Sequence, residues 1–283
     1  MGRSKTVILM VGLMLIFMYV GNLIAGEQGM LTAFIAAAAT NFFSYFFSDK
    51  MVLSHYKAIP VTPASQPQLY AIVDRLAKTA KLPMPKVYII PDRVPNAFAT
   101  GRNPQHAAVA ATQGLLELLN EEEIEGVLAH EMSHVRHYDI LIGSVAAVFA
   151  GAIAMLGNFA RVGAVSRNNN RNSSGFTQLL GAILMPIAAT IIQMSISRTR
   201  EYKADEGAAL LTRHPEWLMS ALSKLESYAR NYRLQGADSA TAHMFIINPF
   251  SGLKNSFSRL FSTHPSTADR LAKLREIQQK IQG

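Results

Sequence analysis

His130 and His134 lie four residues apart in the sequence, and Glu131 follows the first histidine directly. On a helix, residues four apart share one face, so the two histidines can offer two nitrogens to one metal ion. Glu131 would project beside that ion, where its carboxylate could act as a general base on an activated water. The spacing therefore indicates a helical metal site with hydrolytic chemistry.

The residues around this motif predict a packed helix. Asn120 is a good N-cap and Glu123 stands three residues later, which together make a capping box. The apolar residues Val127, Leu128 and Val135 predict that the same helix packs against a core. The alternative is a helix with two surface histidines and a solvated glutamate, and it fits this apolar setting less well.

A catalytic zinc site needs a third protein ligand. His137 is the nearest candidate, but it lies about 10.5 Å along the helix axis from His130, too far for one ion to bind both easily. Glu201 is the better candidate, because Glu201 and Asp205 again share a helical face. Glu201 could bind the metal while Asp205 orients a ligand histidine. Two carboxylates with this spacing are by themselves typical of a solvated helix surface. They become candidates for the metal site because the histidine pair precedes them in the sequence.

The composition places these residues in a membrane protein. The chain has 283 residues, of which 49% are hydrophobic and 16% are charged, and its mean hydropathy is +0.15. Soluble proteins carry about 25% charged residues, so membrane segments are indicated. The absence of cysteine excludes disulfide scaffolds, thiolate metal sites and cysteine nucleophiles. The net charge of +8 fits anionic lipid better than nucleic acid, because the basic residues are dispersed.

Two apolar runs near the N-terminus predict a transmembrane hairpin. Val7–Ala25 and Met30–Phe47 contain no charged residue, and only the turn Gly26–Gly29 separates them. Each is close to the length that spans a bilayer. Arg3 and Lys5 precede the first run, so the excess of positive charge places both ends of the hairpin in the cytoplasm.

Two further apolar runs are ambiguous. Ile140–Leu156 is short, and Phe176–Ile196 is interrupted by polar residues. They could form a second spanning hairpin or a buried core hairpin. Arg161, Arg167 and Arg171 lie in the loop between them, which full spanning would place outside the cell, against the usual charge bias.

The remaining segments predict a mainly α fold with a small β-sheet (α+β). Four regions follow from this organisation: the transmembrane hairpin at 1–50, a first catalytic part at 51–139, a hydrophobic helical hairpin at 140–196 and a second catalytic part at 197–283. Helical periodicity covers Gln66–Lys81, Gln113–Leu119, Arg198–Thr212, Pro215–Tyr232 and Pro265–Gln282, and the strand signals are Val87–Ile90, Asn96–Thr100 and His106–Thr112.

Taken together, the motifs resemble the HtpX family of membrane zinc endopeptidases, which is related to the CAAX prenyl proteases of the Ste24 type. The resemblance rests on His130–His134 followed by Glu201–Asp205 across a hydrophobic hairpin, and it covers essentially the whole chain. It implies a zincin-like catalytic domain and one zinc ion per chain, held by His130, His134 and Glu201. It also implies that Glu131 is the general base.

Two further segments match this family. Asn96–Gly101 resembles the family's strand that pairs with substrate backbone, which implies substrate contacts from Asn96, Ala97, Phe98 and Ala99. Thr263–Arg270 resembles the family's His-Pro segment, so we expect His264 to stabilise the oxyanion and Arg270 to hold Asp205 or Glu201. The alternatives are a routine edge strand, a turn histidine and a solvated arginine.

The leading hypothesis is a multi-pass zinc endopeptidase of a bacterial inner membrane whose catalytic domain faces the cytoplasm. By resemblance, its substrates are misfolded or damaged membrane proteins with unfolded cytoplasmic segments. One alternative is a processing protease with a defined substrate. The other is a membrane scaffold that kept zinc for stability, although the presence of both Glu131 and Glu201 disfavours it. The lipid bilayer is an expected partner and nucleic acid is not.

Overall fold

The structure, a computed structural model, describes residues 2–149, 197–231 and 265–282. These residues are mostly helical with one small sheet, which confirms the predicted α+β class at that level. In chain order the elements are α1 (Gly2–His55), β1 (Ile59–Pro60), α2 (Pro67–Ala80), β2 (Lys86–Ile90), β3 (Ala97–Gly101), β4 (Ala107–Thr112), α3 (Gln113–Leu118), α4 (Glu121–Arg136), α5 (Ile140–Phe149), α6 (Arg198–Thr212), α7 (Pro215–Asn231) and α8 (Thr267–Gln282).

The sheet has the strand order β1-β2-β4-β3, which places β3 at one edge. β2 and β4 are parallel, whereas β3 pairs antiparallel with β4 in a register that sets Ala99 opposite Val109. Asn96 continues this pairing before β3 begins, because its carbonyl oxygen accepts a hydrogen bond from the Thr112 N–H at 2.8 Å. The three strands predicted from the sequence therefore lie side by side, and the predicted substrate strand is the one at the edge.

The N-terminal helix α1 is a hairpin of two helical arms. The chain reverses at Ala25 and Gly26, where Gly26 has a φ of 62° that favours glycine. This reversal is tighter than the predicted four-residue turn, since Glu27 to Gly29 already belong to the second arm. The side-chain amide of Asn41 donates to the Met10 carbonyl at 3.2 Å and ties the arms together.

Both arms of α1 carry exposed apolar side chains, which water would not favour and a bilayer would. In the described part of the chain, Ala25–His55 is the one helix long and apolar enough to cross a membrane, and Thr6–Tyr19 is a shorter apolar helix. The large apolar residues exposed on α1 include Val7, Ile8, Leu15, Leu31, Ile35, Phe42 and Phe43. The N-terminal apolar segment is thus confirmed as helical, with one arm of spanning length.

The second hydrophobic hairpin, predicted at 140–196, falls largely outside the described residues. Its first ten residues form α5, which packs on the first arm of α1. Leu141 and Val145 belong to the same buried apolar cluster as Leu9 and Leu13. This packing places the start of the segment beside the N-terminal hairpin, while the rest of that hairpin stays a prediction.

Helix α4 lies between the sheet and helices α2, α6 and α7. The backbone of α4 lies close to α6 and to α7, because a glycine stands where each pair of helices crosses. A Cβ at Gly207 of α6 would lie 2.9 Å from the Ser133 Cβ, and one at Gly126 of α4 would lie 2.7 Å from the Leu218 N. These crossings bring α6, with Glu201, against the histidine face of α4.

Candidate metal-binding active site

The start of α4 is held in place from within and from a neighbouring helix. The predicted capping box is present: Asn120 Oδ1 accepts from the Glu123 N–H at 2.9 Å, and Glu123 Oε2 accepts from the Asn120 N–H at 2.9 Å. Lys224 and Ser220 of α7 donate to the same carboxylate, each at 2.7 Å. Burial alone would raise the pKa of Glu123, but these hydrogen bonds outweigh it and lower the pKa.

Three side chains converge on one point between α4 and α6. His130 Nε2 and His134 Nε2 are 3.2 Å apart, and a Glu201 oxygen lies 3.6 Å from each of them. In the described residues, His130, His134 and Glu201 are the group that could hold a metal ion, with ligand atoms within 4.8 Å of one another. Ligands about 2 Å from one tetrahedral ion are separated by about 3.3 Å, so a single ion fits this group.

A buried ion pair lies behind the first histidine. Asp205 Oδ1 is 2.9 Å from His130 Nδ1, so this nitrogen donates to the carboxylate and Nε2 is left for a metal. Arg270 of α8 binds the same carboxylate with two hydrogen bonds, Nε to Oδ2 at 2.9 Å and Nη2 to Oδ1 at 2.6 Å. Asp205 and Arg270 are both fully buried. The structure therefore brings together the two residues that the sequence placed around the ligands.

The charges in this pocket hold two groups in their ionised forms. Burial disfavours the Asp205 carboxylate, but the Arg270 guanidinium and His130 outweigh it and lower the pKa of Asp205 to about 2. Burial likewise disfavours protonated His130, yet the hydrogen bonds of Asp205 and Glu201 raise its pKa to about 9. Asp205 is thus negative throughout the neutral range, and metal-free His130 is cationic there.

The raised pKa of His130 predicts a pH-dependent stability of the metal-free protein. Because that pKa lies above the ordinary value of 6.5, its contribution is fully present below pH 6.5 and is lost as the pH rises to about 9. We expect the chelator-treated protein to melt at a lower temperature at pH 9 than at pH 6.5. The His130→Gln variant, measured in the same buffers, should show a flatter dependence. Parallel curves for the two proteins would contradict this account.

His134 has a carboxylate partner that the sequence analysis missed. Asp139 Oδ2 lies 3.5 Å from His134 Nδ1, and Arg200 of α6 approaches the other Asp139 oxygen at 3.5 Å. Tyr138 has a φ of 60°, which turns the chain at the end of α4 and returns Asp139 toward the helix. Residues five apart do not share a helical face, so helical periodicity does not predict this contact. The available signal was a general one: a metal-binding histidine usually hydrogen-bonds a carboxylate or similar group through its other ring nitrogen.

His137 ends α4 as its C-cap, and its N–H donates to the Ser133 carbonyl at 3.0 Å. It is not part of the metal-binding group found in the described residues. The prediction that it lies too far along the helix from His130 agrees with this position. Burial lowers its pKa.

Glu131 points at the edge strand. Its Oε2 accepts a hydrogen bond from the Ala99 N–H at 3.0 Å, which joins the catalytic helix to β3. Pairing with substrate backbone requires an accessible strand, but most of β3 is covered. The exposed fractions are 2% for Asn96, 0% for Ala97 and 2% for Phe98, whereas Ala99 is partly accessible. His264, the predicted oxyanion donor, lies outside the described residues.

Comparison with known proteins agrees with this arrangement. Residues 63–278, which include all three metal-binding candidates, match Peptidase family M48. A protease HtpX homologue from Campylobacter hominis is 67% identical over 99% of this chain and 100% of its own length. Another from a Sulfurovum species is 56% identical over 98% of this chain and 100% of its own length. The chain belongs to peptidase family M48. The resemblance to HtpX proteases is confirmed, and the protein is a metalloprotease with membrane character.

The M48 fold extends to a distant solved structure. S. mikatae Ste24p aligns with a TM-score of 0.50 at 18% identity, over 93% of this chain and 62% of the Ste24p chain. This likeness concerns the fold alone. It shows an architecture shared over 93% of this chain with a protein that is considerably longer.

Proposed function

We propose that this protein is a zinc-dependent membrane endopeptidase in which His130, His134 and Glu201 hold the metal and Glu131 is the general base. The observation that carries the proposal is the convergence of those three side chains on one point, with Glu131 next to His130 on the same helix. Two histidines and one glutamate are a ligand set of catalytic zinc, in which a further coordination position stays open to water or substrate. This donor set supports zinc as the metal.

The chain's own residues divide the work of peptide hydrolysis. When bound, zinc supplies Lewis acidity that activates a water and polarises the scissile carbonyl. Glu131 accepts a proton from the attacking water as the new carbon–oxygen bond forms, and it delivers that proton to the amine nitrogen as the carbon–nitrogen bond breaks. Asp205 and Arg270 orient His130 from behind, and Asp139 approaches His134.

For the oxyanion we propose His264, because the segment that contains it leads into α8. Arg270 of that helix reaches the metal-binding group through Asp205. Only six positions in the sequence separate His264 from Arg270, which supports this assignment. Substitution of His264 by Ala should lower kcat and leave metal content unchanged, as expected for a group that stabilises developing charge.

We further propose that cleavage takes place on the cytoplasmic side of a bacterial inner membrane and removes damaged membrane proteins. Arg3 and Lys5 lie at the start of the first arm of α1, and the positive-inside bias puts this end in the cytoplasm. The catalytic region follows the second arm, which returns to the same side because the two arms are antiparallel. Recognition through a strand edge uses substrate backbone, which only unfolded segments offer.

The choice of substrate can be tested in proteoliposomes. The substrates are two single-span proteins that differ only in whether their cytoplasmic domain is folded or destabilised by core mutations. We expect cleavage of the destabilised protein at several sites and little cleavage of the folded one. The Glu131→Gln variant serves as the control for contaminating proteases. Cleavage of both at one identical site would instead favour a dedicated processing protease, and zinc retention without any cleavage would favour a scaffold.

A further inference from the structure

The outer edge of β3 is already hydrogen-bonded at two successive positions. In an antiparallel pair, the backbone groups of every second residue point away from the partner strand. On β3 these outward groups include the N–H of Ala99 and that of Gly101. The first donates to Glu131 Oε2 at 3.0 Å and the second to Ser144 Oγ at 3.2 Å. A substrate strand that pairs with this edge has to compete with both contacts.

Ser144 is held by three contacts in a fully buried position. Its hydroxyl donates to the Ile140 carbonyl one turn earlier in α5 at 2.7 Å. It also lies 2.6 Å from Thr100 Oγ1, and it accepts from Gly101. Ser144 and Thr100 each have 0% exposure. The hydroxyl therefore cannot turn away from Gly101 without breaking other buried hydrogen bonds, which is costly.

The contact at Ala99 is different in kind. Glu131 has a long side chain with three rotatable bonds, and in the described residues its one hydrogen bond is that to Ala99. Ala99 is also the one partly accessible position of β3. A substrate carbonyl can thus replace Glu131 at Ala99, and this exchange frees the carboxylate for the proton transfer assigned to it. At Gly101 no such exchange is available.

We propose that Ser144 is a positioning residue that ends the substrate-pairing edge at Ala99. The proposal rests on the function proposed above and specifies the substrate that the site accepts. On the Gly101 side of the scissile bond, β3 forms backbone hydrogen bonds with the substrate only as far as the substrate residue that lies opposite Ala99. The protease therefore needs a short extended stretch on that side, and lengthening the stretch adds no backbone hydrogen bond.

The test uses the full-length protein in nanodiscs and a series of fluorogenic peptides. The peptides share one scissile bond and are lengthened by one residue at a time at either end. With the wild-type protein, kcat/KM should stop rising once the residue opposite Ala99 is present. With Ser144→Ala, the freed Gly101 N–H should let kcat/KM rise further, by about three- to tenfold, as one added backbone hydrogen bond allows.

A matched variant separates this effect from loosening of the structure. Thr100→Val removes the buried contact between the two hydroxyls but leaves the Ser144 hydroxyl bonded to Gly101. In this variant kcat/KM should stop rising at the same peptide length as in the wild-type protein. Amide hydrogen exchange at Gly101 should become faster in Ser144→Ala and not in Thr100→Val. If Ser144→Ala does not fold, Ser144→Cys, whose sulfur is a weak acceptor, should give a smaller gain in the same direction.

The outcomes distinguish the two proposals. The role of Ser144 would be overturned if kcat/KM of Ser144→Ala stopped rising at the wild-type peptide length, or if Thr100→Val showed an equal increase in kcat/KM. Either result would leave the peptidase assignment standing. A wild-type protein that binds metal but cleaves neither peptides nor destabilised membrane proteins would overturn the proposed function, and the role of Ser144 would fall with it.

Discussion

Replacement of Glu131 by Gln is expected to lower kcat/KM by at least about a hundredfold, since general acid–base catalysis contributes roughly 10²- to 10⁴-fold. The amide cannot accept the proton of the attacking water, although it occupies the same volume. The metal content should stay at that of the wild-type protein, because Glu131 is not among the three converging side chains. Metal content and peptide cleavage should be measured side by side on protein purified in detergent.

A surface glutamate provides the control for this experiment. Glu226→Gln changes an exposed side chain of α7 that pairs with Arg230 at 2.7 Å and should leave both readouts at wild-type values. Residual cleavage by Glu131→Gln within a few-fold of wild type would mean that another group carries the proton. Loss of metal from Glu131→Gln would mean that the carboxylate belongs to the ligand set.

The second large effect concerns the third ligand. Glu201→Gln should weaken metal binding by more than about a hundredfold, because removal of supporting groups alone costs 10- to 100-fold in metal affinity. The reason is geometric, since the Glu201 oxygens lie 3.6 Å from both histidine Nε2 atoms. His137→Ala should bind metal as the wild-type protein does, because His137 caps the end of α4. Competition with a fluorescent chelator measures both affinities.

Asp205→Asn provides an intermediate case in the same titration. It leaves the three ligands in place but removes the charge that orients His130, so the loss of metal affinity should fall between those of the other two variants. Equal metal affinities for Glu201→Gln and His137→Ala would show that the third ligand has been wrongly assigned.

The features that the sequence predicted well are local ones. The start of α4 follows from Asn120 and Glu123, whose mutual hydrogen bonds depend only on residues three apart. The shared face of His130 and His134 follows from helical geometry alone. Glu201 could be chosen because few other ligand types were available in a chain without cysteine. Each of these inferences needs no knowledge of the tertiary fold.

Contacts that depend on chain direction after an element ends could not be predicted in this way. Asp139 reaches His134 because Tyr138 adopts a left-handed conformation, which is rare for a tyrosine. The coverage of β3 depends on Val52 and Leu53 of α1 and on Ala147 of α5, which pack over Phe98 from distant parts of the sequence. A run of strand-forming residues predicts a strand but does not show which helices will lie on it.

The salt bridge between Asp205 and Arg270 has a consequence for how the protein is made. Arg270 lies on α8, 65 residues after Asp205 in the sequence, so it leaves the ribosome after Asp205 and the rest of α6. Until then, the buried Asp205 carboxylate lacks the charge and the two hydrogen bonds of Arg270, which is unfavourable, and α6 does not pack fully against α4. We therefore expect the nascent chain to have no proteolytic activity before Arg270 is in place. Other polypeptides emerging at the same membrane would not be cleaved by it until Arg270 has been synthesised and has paired with Asp205.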